Sequence, residues 1–305
     1  MCGIFGAIGK DIDYGAVRTL ALANAERGNE AIGFFGSDGK IWKRAQSPID
    51  ALMGSKLNKY LSGVEAAGLW HVVGHTRHGT RGSNTRENAH PFRYGNIVGS
   101  HNGIVGAPNS YAVDSMYLID SIYKAEGDYQ KALGDISGYW GLAWTDMHGL
   151  FLQAHNNTLA ICKVGDVYYF SSDWKHLRAA LGNVEYHAFT EGETMRLSMN
   201  SAGTVDVANL ATLVNKGDWM DWDYRTQGGG SYWKNRGYTS SGTTASTNGG
   251  KYADKETSDP FETSDPDSEY AALMGLKDRD PWNDVPDYEE RWAEAWSEYV
   301  GEYAD

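Results

Sequence analysis

Between residues 139 and 207 the chain repeats one pattern, a short apolar run followed by a turn. The runs at 139–145, 150–154, 159–163 and 167–172 are joined by DMHG (146–149) and VGD (164–166), and shorter runs follow near 185–190, 193–198 and 203–207. Links this short connect strands only when they run antiparallel. Upstream, AIGFFG (31–36) and KIWKRA (40–45) flank Ser37-Asp38-Gly39, a hairpin signal, and further apolar runs lie at 70–75 and 96–101. Residues 2–9 (CGIFGAIG) read as a short, buried, Gly-rich strand. Helical spacing occupies 14–27, where Val17, Leu20, Ala21 and Ala25 recur, with Asp13 as N-cap and Gly28 as C′ residue. It returns near 112–125, 128–134 and 173–181. Many hairpin-linked strands with few helices predict an α+β fold of antiparallel sheets covered by helices. The pattern is not the βαβ alternation of a dinucleotide fold.

The character changes near residue 215. Residues 226–250 are Gly/Ser/Thr-rich with almost no aliphatics, and the stretch 216–253 reads as a flexible linker. Residues 254–305 read as an acidic, largely disordered tail. Within it, about 287–303 carries Tyr288, Trp292, Trp296, Tyr299 and Tyr303 at helical spacing, an amphipathic helix with an aromatic face. Charge divides at the same place. The whole chain carries −13, but residues 251–305 hold 17 Asp/Glu against 5 Lys/Arg. The 2–215 body is therefore nearly neutral. With no basic run or basic half, a binder held by nucleic-acid phosphates is excluded. No apolar stretch approaches the roughly 18 residues of a membrane helix, and the N-terminus lacks the basic and apolar regions of a signal peptide. Two cysteines, Cys2 and Cys162, make no disulfide framework, so a cytoplasmic location is expected; Cys162 lies in an apolar strand and reads as core.

Cys2 invites a chemical reading. Removal of Met1, which a small second residue permits, places a thiol and a free α-amine on one residue. An α-amine with a pKa of roughly 7.7–8.0 serves as a general base at neutral pH, directly or through water. The alternative is a buried cysteine at the start of a strand.

Three further blocks decide between these. Residues 74–82 read GHTRHGTRG, 88–92 read NAHPF and 100–104 read SHNGI. Together with CGIFG at the N-terminus they resemble the class II glutamine amidotransferases, whose glutaminase domain has the N-terminal nucleophile (Ntn) hydrolase fold. Arg27-Gly28 with Ala31-Ile32-Gly33, Ser171-Ser172-Asp173 and Glu191-Gly192-Glu193 extend the resemblance over about residues 2–200. It implies a four-layer αββα sandwich and hydrolysis of the side-chain amide of L-glutamine through a Cys2 thioester, without a cofactor or metal. It also implies that Asn102 and Gly103 form the oxyanion hole. Arg77 would hold the substrate carboxylate as a forked cation, and Thr80 and His78 would border the substrate. Arg27 would support the nucleophile. The substrate ammonium needs an anion, for which Asp114 is chosen over Asp120.

His78 stands where relatives often carry an aromatic residue, and Arg81 where some carry His. His71, His75 and His78 recur at i, i+4 and i+7, a metal-site spacing, but on a segment that reads as a strand without a matching Cys or carboxylate. Relatives usually pass ammonia to a large synthetase domain. The residues after the body are too short of aliphatics for a second core. The expectation is therefore a stand-alone glutaminase unit serving a separate ammonia-accepting synthetase, or another protein with a basic surface. Two alternatives stay open: an N-terminal-Cys amidase acting on another linear or γ-glutamyl amide, and an inactive scaffold acting through its acidic tail.

Overall fold

The first strand explains how the layers form. A computed structural model of the chain describes residues 2–146 and 148–213, and within it β1 (Gly3–Ile8) is buried on both faces. Ile4 and Ile8 enter a cluster with Val73, Val98, Leu150 and Leu152. Phe5 and Ala7, one step out of phase, enter another with Val17, Leu20 and Leu57. A strand covered on both sides reads as an unbroken apolar run, whereas a half-buried one alternates.

The other elements follow in chain order: α1 (Tyr14–Asn24), β2 (Ala31–Gly36), β3 (Ile41–Arg44), α2 (Pro48–Met53), α3 (Ser55–Ala66), β4 (His71–Arg77), β5 (Phe92–Tyr94), β6 (Ile97–Val105), α4 (Asp114–Lys124), α5 (Tyr129–Gly134), β7 (Gly138–Asp146), β8 (Gly149–His155), β9 (Ala160–Val164), β10 (Val167–Ser171), α6 (Trp174–Leu181), β11 (Tyr186–Ala188), β12 (Thr194–Met199) and β13 (Val205–Asn209). They make a seven-stranded sheet ordered β11-β9-β10-β1-β4-β2-β3 and a six-stranded sheet ordered β13-β12-β8-β7-β6-β5. Each described pairing is antiparallel.

Three apolar layers hold these sheets. Helices α1, α2, α3 and α6 cover the outer face of the first sheet through Val17, Leu20, Ala51, Leu57, Leu61 and Leu177. Helices α4 and α5 cover the second through Leu118, Ile119, Ile122 and Leu133, against Trp140, Leu142, Trp144 and Phe151. The inner faces meet through Ile4, Ile8, Phe35, Val73, Ala143, Leu150 and Phe170. This is the expected αββα sandwich.

Details depart from the expectations. Helix α1 ends at Asn24 with Ala25 as its cap, so Gly28 is not its C′ residue. Asp13 does cap it, accepting from Gly15 N at 2.8 Å and Ala16 N at 3.1 Å. Helices α2 and α3 were not anticipated. Their signals are present: Ser47 and Asp50 bond to one another across Pro48 at the start of α2, and Leu57, Leu61 and Val64 supply the buried stripe of α3. Strand β6 runs four residues beyond its expected end, to Val105, and so carries Asn102 and Gly103 inside a ladder. Among the described residues no helix is long and apolar enough to cross a membrane. The expected linker 216–253, tail 254–305 and terminal helix 287–303 lie outside the described residues.

Candidate active site

Strand periodicity brings the candidate residues to one end of the inter-sheet layer. On β4, Thr76 faces the helices and bonds Asn24 O of α1 at 2.8 Å, so Arg77 faces inward. On β6, Asn102 lies opposite Gly141 of β7, in phase with the inward Val98 and Ala143. Cys2 directly precedes β1, which runs beside β4 with Gly3 opposite Thr76.

The Cys2 thiol is bracketed by a single residue. Its Sγ donates to His78 O at 3.3 Å and accepts from His78 N at 3.4 Å. Arg27 Nε donates to Cys2 O at 2.9 Å. Burial pushes the thiol pKa up. The His78 N–H and the Arg77 guanidinium oppose that rise, and the Asp114 charge adds to it. A thiol held in its neutral form needs a base to become a nucleophile.

Asn102 is tied to the N-terminal strand through a serine. Its Nδ2 donates to Ser172 Oγ at 3.2 Å, and Ser172 Oγ also accepts from Ile4 N at 2.8 Å. Asn157 Nδ2 donates to Asn102 O at 2.6 Å and fixes the backbone. Gly103 has φ +151°, and a Cβ there would lie 2.0 Å from Tyr139 O, so only glycine fits.

The charged candidates have partners of their own. Arg77 is 3% exposed and turns Nη2 onto Arg81 O at 2.9 Å. Asp114 opens α4 and accepts from Val105 N and Ser115 N, each at 3.0 Å. Asp120 is taken by Tyr111 Oη at 2.5 Å and Lys124 Nζ at 2.6 Å. His78 and Thr80 are exposed beside the thiol's strand end. The His71, His75 and His78 set does not converge. His71 lies against Trp70, His75 bonds His101 O at 3.1 Å and His78 is outside the strand. Among the described residues no group of three His, Cys, Asp or Glu is arranged to hold a metal ion.

Comparison with solved structures places this framework. Glutamine phosphoribosylpyrophosphate (PRPP) amidotransferase from B. subtilis, complexed with ADP and GMP, is similar over 69% of this chain, with TM-score 0.50 and 17% identity. A structure of the allosteric regulatory enzyme of purine biosynthesis is similar over 70%, with TM-score 0.54 and 18% identity. This is the Ntn-hydrolase fold. The chain spans about half the length of both, 49% and 50%. No family model and no curated protein matches the sequence.

Within the Ntn-hydrolase fold, three site residues escaped the sequence reading. Ser172 joins Asn102 to β1, a role that requires β10 to lie beside β1. Gly28 packs flat against the Arg77–His78 peptide: a Cβ there would lie 2.5 Å from Arg77 C and 2.8 Å from His78 N. Glu30 binds the same turn, accepting from Gly79 N at 2.9 Å. Arg27-Gly28 and Ser172 belong to blocks the resemblance had marked, which was the signal available for two of them; Glu30 had none.

Proposed function

We propose that the chain hydrolyses the side-chain amide of L-glutamine, with the Cys2 thiol as nucleophile, giving glutamate and ammonia. Removal of Met1 frees the Cys2 α-amine, which takes the thiol proton. The thiolate attacks the amide carbon, and the oxyanion is met by the Asn102 side chain and the Gly103 N–H; each such donor is worth about 3 kcal/mol. The protonated amide nitrogen leaves as ammonia, and water resolves the thioester to glutamate. Arg77 takes the substrate α-carboxylate and Asp114 its ammonium, with Thr80 and His78 at the border.

The observation that carries this reading is the Cys2 thiol bracketed by the His78 peptide, with Asn102 tied through Ser172 to Ile4 N, two residues along the same strand entry. A buried cysteine serving only as core would need neither. The test is glutamate release by purified protein and by Cys2→Ala, with intact mass reporting Met1 removal. Cys2-dependent release is expected; equal release by both proteins would sink the reading.

We further infer a cytoplasmic unit, bounded near 2–215, that passes ammonia to a separate acceptor. The charge carried by residues 251–305 favours an acceptor with a basic surface. Capture of such a partner should weaken steeply with salt; salt-independent capture would point to the aromatic face instead.

A further inference from the structure

Arg77 is the cation assigned above to the substrate carboxylate, yet its donors are unevenly used. Nη2 donates to Arg81 O at 2.9 Å and faces Gly82 O at 3.4 Å. Nη1 is buried and makes no hydrogen bond. A buried guanidinium N–H without an acceptor is costly, and its natural complement is a carboxylate oxygen.

Among the described residues, Glu30 is the acidic side chain within ion-pair distance of that atom, its Oε2 lying 3.6 Å from Nη1. That is too long for a hydrogen bond. The same Oε2 accepts from Gly79 N at 2.9 Å, and Oε1 lies 3.4 Å from His78 Nδ1. Glu30 is held by its backbone as well: its N donates to Arg77 O at 3.0 Å, and Asn84 Nδ2 donates to its carbonyl at 3.0 Å. The glutamate side chain is 32% exposed and the arginine side chain 4%. The carboxylate thus stands between solvent and the unused donor, with Gly79 stacked on the guanidinium where a Cβ would lie 3.0 Å from Nη1.

We propose that Glu30 is a positioning residue that stands in for the substrate's α-carboxylate on Arg77 and is displaced from the guanidinium when substrate binds. The inference rests on the glutamine reading above. Its bond to Gly79 N keeps the turn at 77–79 in shape, and that turn brackets the Cys2 thiol. Its charge makes every carboxylate-bearing ligand compete for Arg77. Glu30 therefore sets the threshold concentration for substrate rather than the rate of the chemical step.

The two contributions separate in Glu30→Gln. The amide oxygen still accepts from Gly79 N, but the competing charge is gone. The KM for L-glutamine should fall about fivefold with kcat within about twofold, the modest size expected for a part-exposed charge. The inhibition constant of 4-aminobutanamide, which is glutamine without its α-carboxylate, should stay unchanged. Glu30→Asp, which draws the charge back by one methylene, should show a smaller fall in KM, and it replaces Glu30→Gln if that variant does not fold. An unchanged or raised KM in both variants, or an equal shift for 4-aminobutanamide, overturns the proposal. Wild-type protein with no glutamine turnover would instead overturn the substrate assignment on which the proposal rests.

Discussion

The Cys2 thiol and the His78 peptide hold one another, Sγ donating to the carbonyl at 3.3 Å and accepting from the N–H at 3.4 Å. The peptide therefore positions the sulfur, and Gly28 positions the peptide. A Cβ on Gly28 would lie 2.5 Å from Arg77 C and 2.8 Å from both Arg77 O and His78 N. Backbone atoms cannot yield as a flexible side chain would. Gly28→Ala should therefore push the bracket off the thiol and lower kcat for glutamine by about tenfold or more, since small displacements at a reacting centre are expensive. Far-UV circular dichroism should remain that of the wild type. Unchanged kcat would show that the bracket does not set the position of the sulfur.

Ser172 is the second point of control. Its hydroxyl accepts from Ile4 N at 2.8 Å and Asn102 Nδ2 at 3.2 Å, binding the first strand of one sheet to the site strand of the other. Ser172→Ala leaves two donors without their acceptor, a cost of about 1–3 kcal/mol for a buried group. Urea denaturation should report that loss. If Asn102 is an oxyanion donor, the same change should lower kcat about tenfold while KM moves little, less than the 10²–10³ that removing a donor outright costs. A KM-only effect would remove Asn102 from the oxyanion hole.

Three buried histidines predict acid sensitivity. Burial depresses His71 and His75 from the ordinary 6.5 to about 3 and holds His90 well below 6.5. For His71 and His75 the unfolded chain binds the proton near pH 6.5 and the folded one does not until about pH 3; for His90 the direction is the same. Stability therefore rises with pH across that window and is lost as pH falls through it. His71 and His75 should each remove about 2 kcal/mol between pH 7 and pH 5. His71 lies against Phe35 and Trp70, away from the thiol. His71→Leu should reduce the loss by that share in denaturation curves taken at the two pH values. A loss of the same size in the variant would mean that His71 is not the source.

These tests bear on residues of unequal visibility. The layers were legible because β1 and its neighbours are covered on both sides and read as apolar runs, and because short turns force antiparallel pairing. Helices α2 and α3 were passed over although Ser47-Pro48 and the Leu57, Leu61, Val64 stripe mark them. Their exposed face, with Lys56, Lys59 and Ser62, weakened the apolar signal. Cys2, Arg77, Asn102 and Gly103 were readable as motifs. Ser172 and Glu30 were not readable as neighbours of those motifs. Ser172 reaches Ile4 because β10 adjoins β1, and Asn102 because the two sheets face one another; Glu30 reaches Gly79 because β2 adjoins β4, relations that exist only once the strands are ordered. Asp114 and Asp120 likewise differ in partners that only the tertiary structure supplies. Asp120 is held by Tyr111 and Lys124, and Asp114 by Val105 N of the site strand and by Ser115 N of its own helix.

Gly103 is demanded by the fold at a position proposed for an oxyanion donor. It lies within β6 opposite Trp140, with φ +151°, and its α-carbon faces Tyr139 so closely that a Cβ would sit 2.0 Å from that carbonyl oxygen and 2.9 Å from Trp140 Cα. A methyl group there must part β6 from β7 in the middle of the second sheet. Gly103→Ala should therefore destabilise the fold by more than about 3 kcal/mol, the range reserved for backbone strain combined with overpacking. The melting temperature should fall, and soluble yield with it. Asn102→Ala, one residue earlier, needs no such parting. It should lose about 10²–10³ in kcat while melting within a few degrees of wild type. The pair separates the two roles. If Gly103→Ala melts like the wild type, the close approach of β6 and β7 is not what requires glycine there. If Asn102→Ala keeps full activity, the oxyanion assignment fails.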